Sequence, residues 1–110
     1  MQDVLLVLTN VPDEVTAHTI ARHAVERRLA ACVNVLPAVR SVYQWEGKVE
    51  EATEVTLLIK STQGRYAALE AAIKEAHPYD VPEIIAMPVT AGLPAYLNWV
   101  VSETKKDVDV

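Results

Sequence analysis

The sequence predicts one α+β domain over residues 1–110, with a four-stranded sheet, two helices on one of its faces, and a further helix at the C-terminal end. Three observations lead to this fold class. A length of 110 residues, with 51% hydrophobic and 23% charged residues, is typical of one globular domain. Short apolar runs alternate with segments whose apolar residues lie three and four positions apart. A two-residue break between the middle strands predicts a hairpin.

The first strand and helix are predicted near the N-terminus. Val4 to Thr9 is a short, continuous apolar run, typical of a central strand covered on both faces. Asp13 is the predicted N-cap of a helix that runs to about Leu29, and its apolar residues form a single stripe. His18 and His23 lie five positions apart on this helix and point in different directions, so we expect surface residues rather than a chelate.

The second strand is predicted in two parts. It begins at Cys32, and Pro37 removes a hydrogen-bond donor, which predicts a kink, a bulge or an edge position. The strand resumes at Val39 and runs to Trp45. Glu46-Gly47 is the predicted hairpin turn, because glycine readily adopts a positive φ there.

The remaining elements follow in order. The third strand runs from about Lys48 to Ser61, and Thr62 is the predicted N-cap of a helix over about residues 63–76 that stops before Pro78. The fourth strand covers about residues 83–89, a last helix follows Gly92, and the tail at residues 105–110 is expected to fray. This order is the split βαβ, or ferredoxin-like, arrangement, βαββαβ. The first and third strands are the most apolar and should be central.

The second and third strands are unusually long, since strands usually have about 5–6 residues. A four-stranded sheet cannot cover a hairpin of this length, and its distal part carries Val42, Tyr43 and Trp45. Exposed strand edges invite pairing with another chain. The sequence therefore predicts an obligate homo-oligomer in which the hairpins pack between subunits.

Composition excludes several classes of partner. The net charge is −5, which argues against nucleic acid, because phosphate binding depends on clustered Lys and Arg. No apolar run approaches the about 20 residues of a membrane-spanning helix, and the acidic start does not resemble a secretory signal. Cys32 is the one cysteine and cannot form an internal disulfide, so we expect a cytoplasmic protein.

Several motifs resemble those of the CutA family of divalent-cation tolerance proteins. The resemblance runs from about Val4 to Trp99, and two motifs carry most of it: Tyr43-Gln44-Trp45-Glu46-Gly47-Lys48 and His77-Pro78-Tyr79-Asp80-Val81-Pro82-Glu83-Ile84. The supporting residues are Ala31-Cys32-Val33-Asn34, Glu54, Leu58-Ile59-Lys60 and Tyr96-Leu97-Asn98-Trp99. The resemblance implies a ferredoxin-like subunit assembled as a homotrimer, similar in architecture to PII signalling proteins. It implies a role in copper and divalent-metal tolerance, no catalytic activity and no required cofactor.

The resemblance also implies a metal site at His77 and Glu83. Imidazole and carboxylate are ligands for divalent copper or zinc. Some relatives have a cysteine where the first strand ends, but this chain has Thr9-Asn10 there, which argues against tight Cu(I) binding. The structural alternative is that His77 caps a helix end and Glu83 makes a hydrogen bond.

Aromatic residues, one lysine and the cysteine are the other side chains for which the sequence predicts a role. Four of the aromatic residues, Tyr43, Trp45, Tyr79 and Trp99, are predicted to pack at subunit contacts, with an aromatic cage for a ligand as the alternative. Lys60 is a candidate anion-binding residue in a cleft between subunits. Cys32 is expected to be buried and inert.

The hairpin also carries several charged residues. We interpret them as a solvated or inter-subunit charge network: Lys48, Glu50, Glu51 and Glu54.

Two other functions are compatible with the predicted fold. The runner-up function is a PII-like sensor that binds a small anionic ligand between subunits, and the third is a structural scaffold. RNA-binding relatives of this fold use aromatic residues on the sheet, and its metallochaperones use a Cys-x-x-Cys pair that this chain lacks.

Overall fold

Four strands form one antiparallel sheet in the computed structural model, which describes residues 3–106. Three helices accompany the sheet in the described chain. The bounds are β1 Val4–Val11, α1 Glu14–Glu26, β2 Cys32–Trp45, β3 Lys48–Thr62, α2 Gln63–Ala76, β4 Ile84–Pro88 and α3 Pro94–Glu103. The predicted α+β class and the order of the elements are therefore confirmed. Most of the tail that was expected to fray lies outside the described residues.

The strand order is β2-β3-β1-β4, so the two most apolar strands are central as predicted. Alternate residues of β1 and β3 face the same side of the sheet, where Val7 pairs with Ile59 and Val11 with Val55. The apolar stripes of α1 and α2 close this side and form one buried core with it, which includes Val7, Val11, Ala17, Ile20, Ala24, Leu57, Ile59, Leu69 and Ile73. Helix α3 contacts β1 and β3 and buries Val100.

β2 is an edge strand, and Pro37 interrupts it as predicted. The pairing with β3 shifts register between Leu36 and Val39, and Ala38 has a φ of 59°. Because an extra residue is accommodated on one strand only, the strand bends at this point. The missing N–H of proline is tolerated because the interruption lies at the edge of the sheet.

The β2–β3 hairpin extends well beyond the four-stranded part of the sheet. β1 pairs with β3 only from Val55 to Thr62, so residues 39–54, the distal hairpin, pair only with each other. The predicted turn at Glu46-Gly47 is confirmed, with φ values of 50° and 82°. Two consecutive positive φ values define a type I′ turn, whose twist matches that of the strands. The molecule is accordingly elongated, with extents of 49 × 29 × 22 Å.

Two boundaries differ most from the prediction. β1 continues past Thr9 to Val11, because Asn10 pairs with Thr56 and Val11 with Val55. α1 ends at Glu26 rather than near Leu29. The chain turns at Arg28, which has a φ of 59°, and the N–H of Leu29 donates to the carbonyl of Ala24. This is the Schellman pattern, with arginine in the position that glycine usually occupies.

The two predicted N-caps behave differently. Asp13 caps α1 as predicted, since its carboxylate accepts a hydrogen bond of 2.8 Å from the N–H of Thr16. Thr62 occupies the N-cap position of α2, but its hydroxyl makes no capping bond. The N–H of Gln63 donates instead to the carbonyl of Asp3 at 2.9 Å.

Within residues 3–106, no helix is long and apolar enough to cross a bilayer.

Candidate functional site

A cleft of about 680 Å³ opens where the distal hairpin meets the loop after α2. Three parts of the chain form its walls: the end of β1, the distal hairpin, and the loop between α2 and β4. The residues that line the cleft are Asn10, Ser41, Val42, Tyr43, Trp45, Glu54, Pro78, Tyr79, Asp80, Val81 and Glu83. Its size lies within the range of small-molecule sites.

Asn10 joins the end of β1 to β3 and to the loop between α2 and β4. Its side-chain oxygen accepts a hydrogen bond of 2.6 Å from the hydroxyl of Thr56, and its side-chain nitrogen donates to Oε1 of Glu83 at 2.9 Å. Its backbone carbonyl lies 2.7 Å from Nε2 of His77. A carbonyl can only accept, so Nε2 of His77 carries the proton and donates. Asn10 thus links His77 to Glu83, and it holds the loop against the end of β1.

His77 is buried, with 7% of its surface exposed, and both of its ring nitrogens have partners. Nδ1 accepts a hydrogen bond of 3.3 Å from the N–H of Tyr79, while Nε2 donates to Asn10. The His77 and Tyr79 rings also pack together, with centroids 4.7 Å apart. These contacts describe a neutral imidazole at the C-cap of α2. His77 thus lies at the C-terminal end of α2, as the structural alternative expected, but its ring contacts β1 and Tyr79 rather than the helix carbonyls.

Glu54 is a buried carboxylate that lines the cleft, with 8% of its surface exposed. Ser41 donates a hydrogen bond of 2.5 Å to Oε1, and the hydroxyl of Tyr79 donates one of 2.8 Å to Oε2. Burial, together with the hydrogen bond to Glu54 and the charge of Glu54, raises the pKa of Tyr79 to about 12. Tyr79 therefore remains a hydrogen-bond donor at any physiological pH.

The predicted site residues fall into two groups. His77 and Glu83 meet at Asn10, and three of the four aromatic residues, Tyr43, Trp45 and Tyr79, line the cleft. Trp99 lies elsewhere, on α3, where its ring packs against Tyr96 with centroids 5.6 Å apart.

Lys60 also lies away from the cleft. Its Nζ donates to the side-chain oxygen of Asn34 and lies 3.7 Å from Sγ of Cys32. Cys32 is half-buried rather than fully buried as expected. Burial and the adjacent Cys32 raise the pKa of the Tyr96 hydroxyl.

Sequence reasoning missed two residues at the centre of the site, and one interpretation was wrong. Glu54 was predicted to be part of a solvated or inter-subunit charge network. The solvated interpretation is wrong for Glu54, which is buried and accepts hydrogen bonds from Ser41 and Tyr79, whereas Glu50 and Glu51 are exposed. The inter-subunit alternative stays a prediction. Asn10 was noted only as a departure from a cysteine in relatives. The pairing of Asn10 with Thr56 in the sheet register is the signal that would have identified it. His18 and His23 are exposed, as predicted.

The described part of the chain holds no ready-made metal centre. No group of three or more His, Cys, Asp or Glu side chains within the described residues is arranged to hold a metal ion. A metal bound at His77 and Glu83 would need further ligands, and Nδ1 of His77 would have to give up its bond to the N–H of Tyr79.

Comparisons with known proteins agree with one another. The family model described as CutA1 divalent ion tolerance protein matches residues 5–103. A protein from Thermus thermophilus named divalent-cation tolerance protein CutA is 46% identical over 99 residues, which cover 90% of this chain and 96% of that protein. A Xenopus laevis protein named as a CutA homolog is 49% identical over 89 residues, which cover 81% of this chain and 59% of that longer protein. A solved structure of the divalent cation tolerance protein from Thermus thermophilus superposes with a TM-score of 0.90 at 45% identity, covering 96% of this chain and 100% of that one.

Proposed function

The chain belongs to the CutA1 divalent ion tolerance family, and we propose that it acts as a non-catalytic homotrimer in the response to divalent metal ions, with weak binding of copper or zinc. The observation that carries this proposal is the family match, which spans residues 5–103 and hence nearly all of the described chain. We propose a cytoplasmic location, where the one cysteine would stay reduced, and no required cofactor.

The strand order supports the finer proposal of a ferredoxin-like subunit. From the other edge the order is β4-β1-β3-β2, and β1 and β2 both run antiparallel to β3, which lies between them. β1 and β2 are therefore parallel, separated by one strand and connected through α1. This is the relationship that defines a split βαβ unit.

The distal hairpin supports the proposal of a homotrimer. It carries apolar side chains that one subunit leaves in water, with Val42 62% exposed, Val49 66% and Trp45 47%. An isolated two-stranded hairpin is marginally stable in water, and β2 and β4 both present an unpaired edge. A second and third copy of the chain would cover these surfaces. The trimeric number itself comes from the family resemblance.

His77 and Glu83 remain our proposed metal ligands. The carboxylate of Glu83 accepts one hydrogen bond, from Asn10, so it has unused acceptor positions. The bond that Nδ1 of His77 would have to give up is long, at 3.3 Å, and therefore weak. The site offers few metal ligands, and the Tyr79 N–H competes with a metal for Nδ1 of His77, so we expect a modest affinity for Cu(II) or Zn(II).

A second candidate function rests on Lys60. An ammonium group has three N–H donors, and the contacts with Asn34 and Cys32 use two of them. A small anion between subunits could accept the third, as in the PII-like alternative. Calorimetric titration with nucleotides tests this alternative independently of metal.

The function is tested in a bacterial strain that lacks its own CutA protein. We expect expression of this chain to raise the Cu(II) concentration at which the strain still grows, relative to an empty vector. The His77→Ala variant, expressed at the same level, should give less protection. Equal growth of the vector and wild-type strains at every Cu(II) concentration would contradict the proposal.

A further inference from the structure

The outer face of α1 and α2 carries two adjoining grooves. The first, of about 250 Å³, lies between the helices, with Ile20 of α1 and Leu69 and Ile73 of α2 among its apolar lining. The second, of about 700 Å³, runs along α2, and it is continuous with the first because Ala72 and Glu75 line both. The contacts between subunits proposed above involve the distal hairpin and the strand edges instead, so they do not use this face.

Alanines form the floor of the second groove. Ala68, Ala71 and Ala72 lie three and four positions apart, so they share one face of α2. Ala68 and Ala71 are exposed, whereas Ala72 packs partly against the core. The floor from Ala68 to Glu75 is about 10 Å long at a rise of about 1.5 Å per residue. Small side chains allow a second helix to approach closely, and the length suits about two of its turns.

Basic residues border this groove, although the whole chain has a net charge of −5. Arg27 and Lys74 line it, and Arg65 lies near Arg27, because its guanidinium donates to the backbone carbonyls of Arg27 and Arg28. Within residues 3–106, no carboxylate lies within ion-pair distance of Arg27 or Lys74. Of the described residues that line either groove, Glu75 is the one acid. The groove therefore presents two cations to an acidic partner.

The combination of charge and shape selects the class of partner. One guanidinium nitrogen of Arg27 lies 3.1 Å from Nε2 of His23, which leaves other N–H donors of Arg27 for a carboxylate. Ile20 and Leu69 are buried at the bottom of the first groove, so this surface can receive an apolar side chain but has none there to insert into a bilayer. A nucleic acid, bound through its phosphates, would leave the apolar groove unused.

We propose that the outer face of α1 and α2 binds an acidic amphipathic helix of another protein. The helix lies along the alanines of α2, one of its apolar side chains enters the groove between α1 and α2, and carboxylates beside its apolar face pair with Arg27 and Lys74. This is the helix-in-groove mode of recognition. The proposal does not depend on the metal pair, because neither His77 nor Glu83 lines either groove.

The experiment is a titration of the assembled protein, in the presence of EDTA, with a fluorescent helical peptide of about 16 residues. The peptide consists of leucine, alanine and glutamate, with leucines along one face and glutamates beside them. One control peptide has lysine in place of each glutamate, and another has serine in place of each leucine. Fluorescence polarisation should show saturable binding of the first peptide alone, and this binding should weaken as salt is added. Vesicles of phosphatidylcholine and phosphatidylglycerol should not bind.

Three variants test the residues of the groove. Arg27→Glu combined with Lys74→Glu should weaken peptide binding by about tenfold or more, because both ion pairs become repulsive. Lys105→Glu combined with Lys106→Glu is the matched control, since it changes the net charge equally at exposed residues beyond α3 and should bind as the wild type does. Ala71→Gln adds bulk without charge to the exposed floor, and it should weaken binding by about threefold or more. Light scattering and melting temperatures establish that each variant remains folded and assembled.

Four results would overturn the proposal. The first is an absence of saturable binding of the leucine–glutamate peptide. The second is unchanged affinity in the Arg27→Glu, Lys74→Glu variant, and the third is unchanged affinity in Ala71→Gln. The fourth is equal binding of the serine peptide or of the phosphatidylglycerol vesicles, which would make this face a general surface for anions. Because EDTA removes free metal ions, failure of the metal proposal would leave these results unchanged.

Discussion

The hydroxyl of Tyr79 donates a 2.8 Å hydrogen bond to the buried carboxylate of Glu54, and this bond fastens the loop after α2 to the hairpin. The two residues lie 25 positions apart, on segments that no other described side-chain hydrogen bond joins directly. Ser41 donates to the second oxygen of Glu54 from the opposite strand of the hairpin. Glu54 therefore connects three segments of the chain, and its environment leads to the first two predictions.

Removing the hydroxyl of Tyr79 should destabilise the protein. In Tyr79→Phe the buried carboxylate of Glu54 loses one of two hydrogen bonds, and such a loss costs about 1–3 kcal/mol. The free energy of unfolding is measured by urea denaturation at fixed protein concentration. Tyr66→Phe is the matched control, because it removes a hydroxyl that donates to the exposed Glu70, and it should cost less than about 0.5 kcal/mol. Equal effects of the two variants would contradict this account of Glu54.

Tyr79 should ionise at higher pH than an ordinary tyrosine. Burial raises its pKa from the ordinary value of 10.0 to about 12, with the Glu54 hydrogen bond and charge acting in the same direction. The folded state therefore holds this proton more tightly than the unfolded state. The resulting stabilisation is complete below about pH 10 and is lost as the pH rises toward about 12. The difference in phenolate absorbance between wild type and Tyr79→Phe should show this late transition, and a transition near pH 10 would disprove it.

Weak Cu(II) binding should depend on His77 and Glu83. Calorimetric titration at neutral pH should show that His77→Ala and Glu83→Gln each weaken Cu(II) binding at least about tenfold, since even the loss of an outer-shell partner of a metal has such an effect. His18→Ala is the control, because His18 is an exposed histidine on α1. Melting temperatures of the variants establish that they remain folded. Unchanged affinity in both folded variants would rule out this pair as ligands.

The sequence predicted the local features of the hairpin because their causes are local. A missing N–H at Pro37 produces the register shift between Leu36 and Val39, and glycine at position 47 permits the turn. The sequence also predicted the residues of the core, because the spacing of apolar residues along each helix and strand is a local pattern. Glu54 was misinterpreted because nothing in its own segment buries it. Its partners lie elsewhere in the chain: Ser41 on the facing strand and Tyr79 on the loop after α2, which returns over the hairpin.

The mass in solution should be three times 12.1 kDa. The exposed apolar surface of the distal hairpin predicts an assembly, and the proposed homotrimer gives the number of three. Light scattering coupled to size-exclusion chromatography measures the mass across a dilution series down to low micromolar concentration. A folded monomer that persists throughout the series would refute the prediction.

Trp45 should link assembly to folding. It lies immediately before the turn of the hairpin, where 47% of its surface is exposed in the single subunit. A tryptophan buries about 150–250 Å², so covering the exposed half would stabilise each subunit by about 2–3 kcal/mol at about 25 cal/mol per Å². This is a large fraction of a domain stability of about 5–15 kcal/mol, and the loss would recur at each subunit contact.

Trp45→Ala should therefore lower the melting temperature, make it depend on protein concentration, and populate monomer in light scattering. Val15→Ala is the control, because Val15 is an exposed apolar residue on α1, away from the hairpin, and its truncation should have none of these effects. Each subunit contributes one Trp45, so a trimer loses three contacts at once and the transition to monomer should be steep in concentration. If Trp45→Ala instead remains assembled with an unchanged melting temperature, then Trp45 is not covered by a neighbouring subunit. Its exposed face would in that case be open to the cleft alone, and the length of β2 and β3 would need a cause other than assembly.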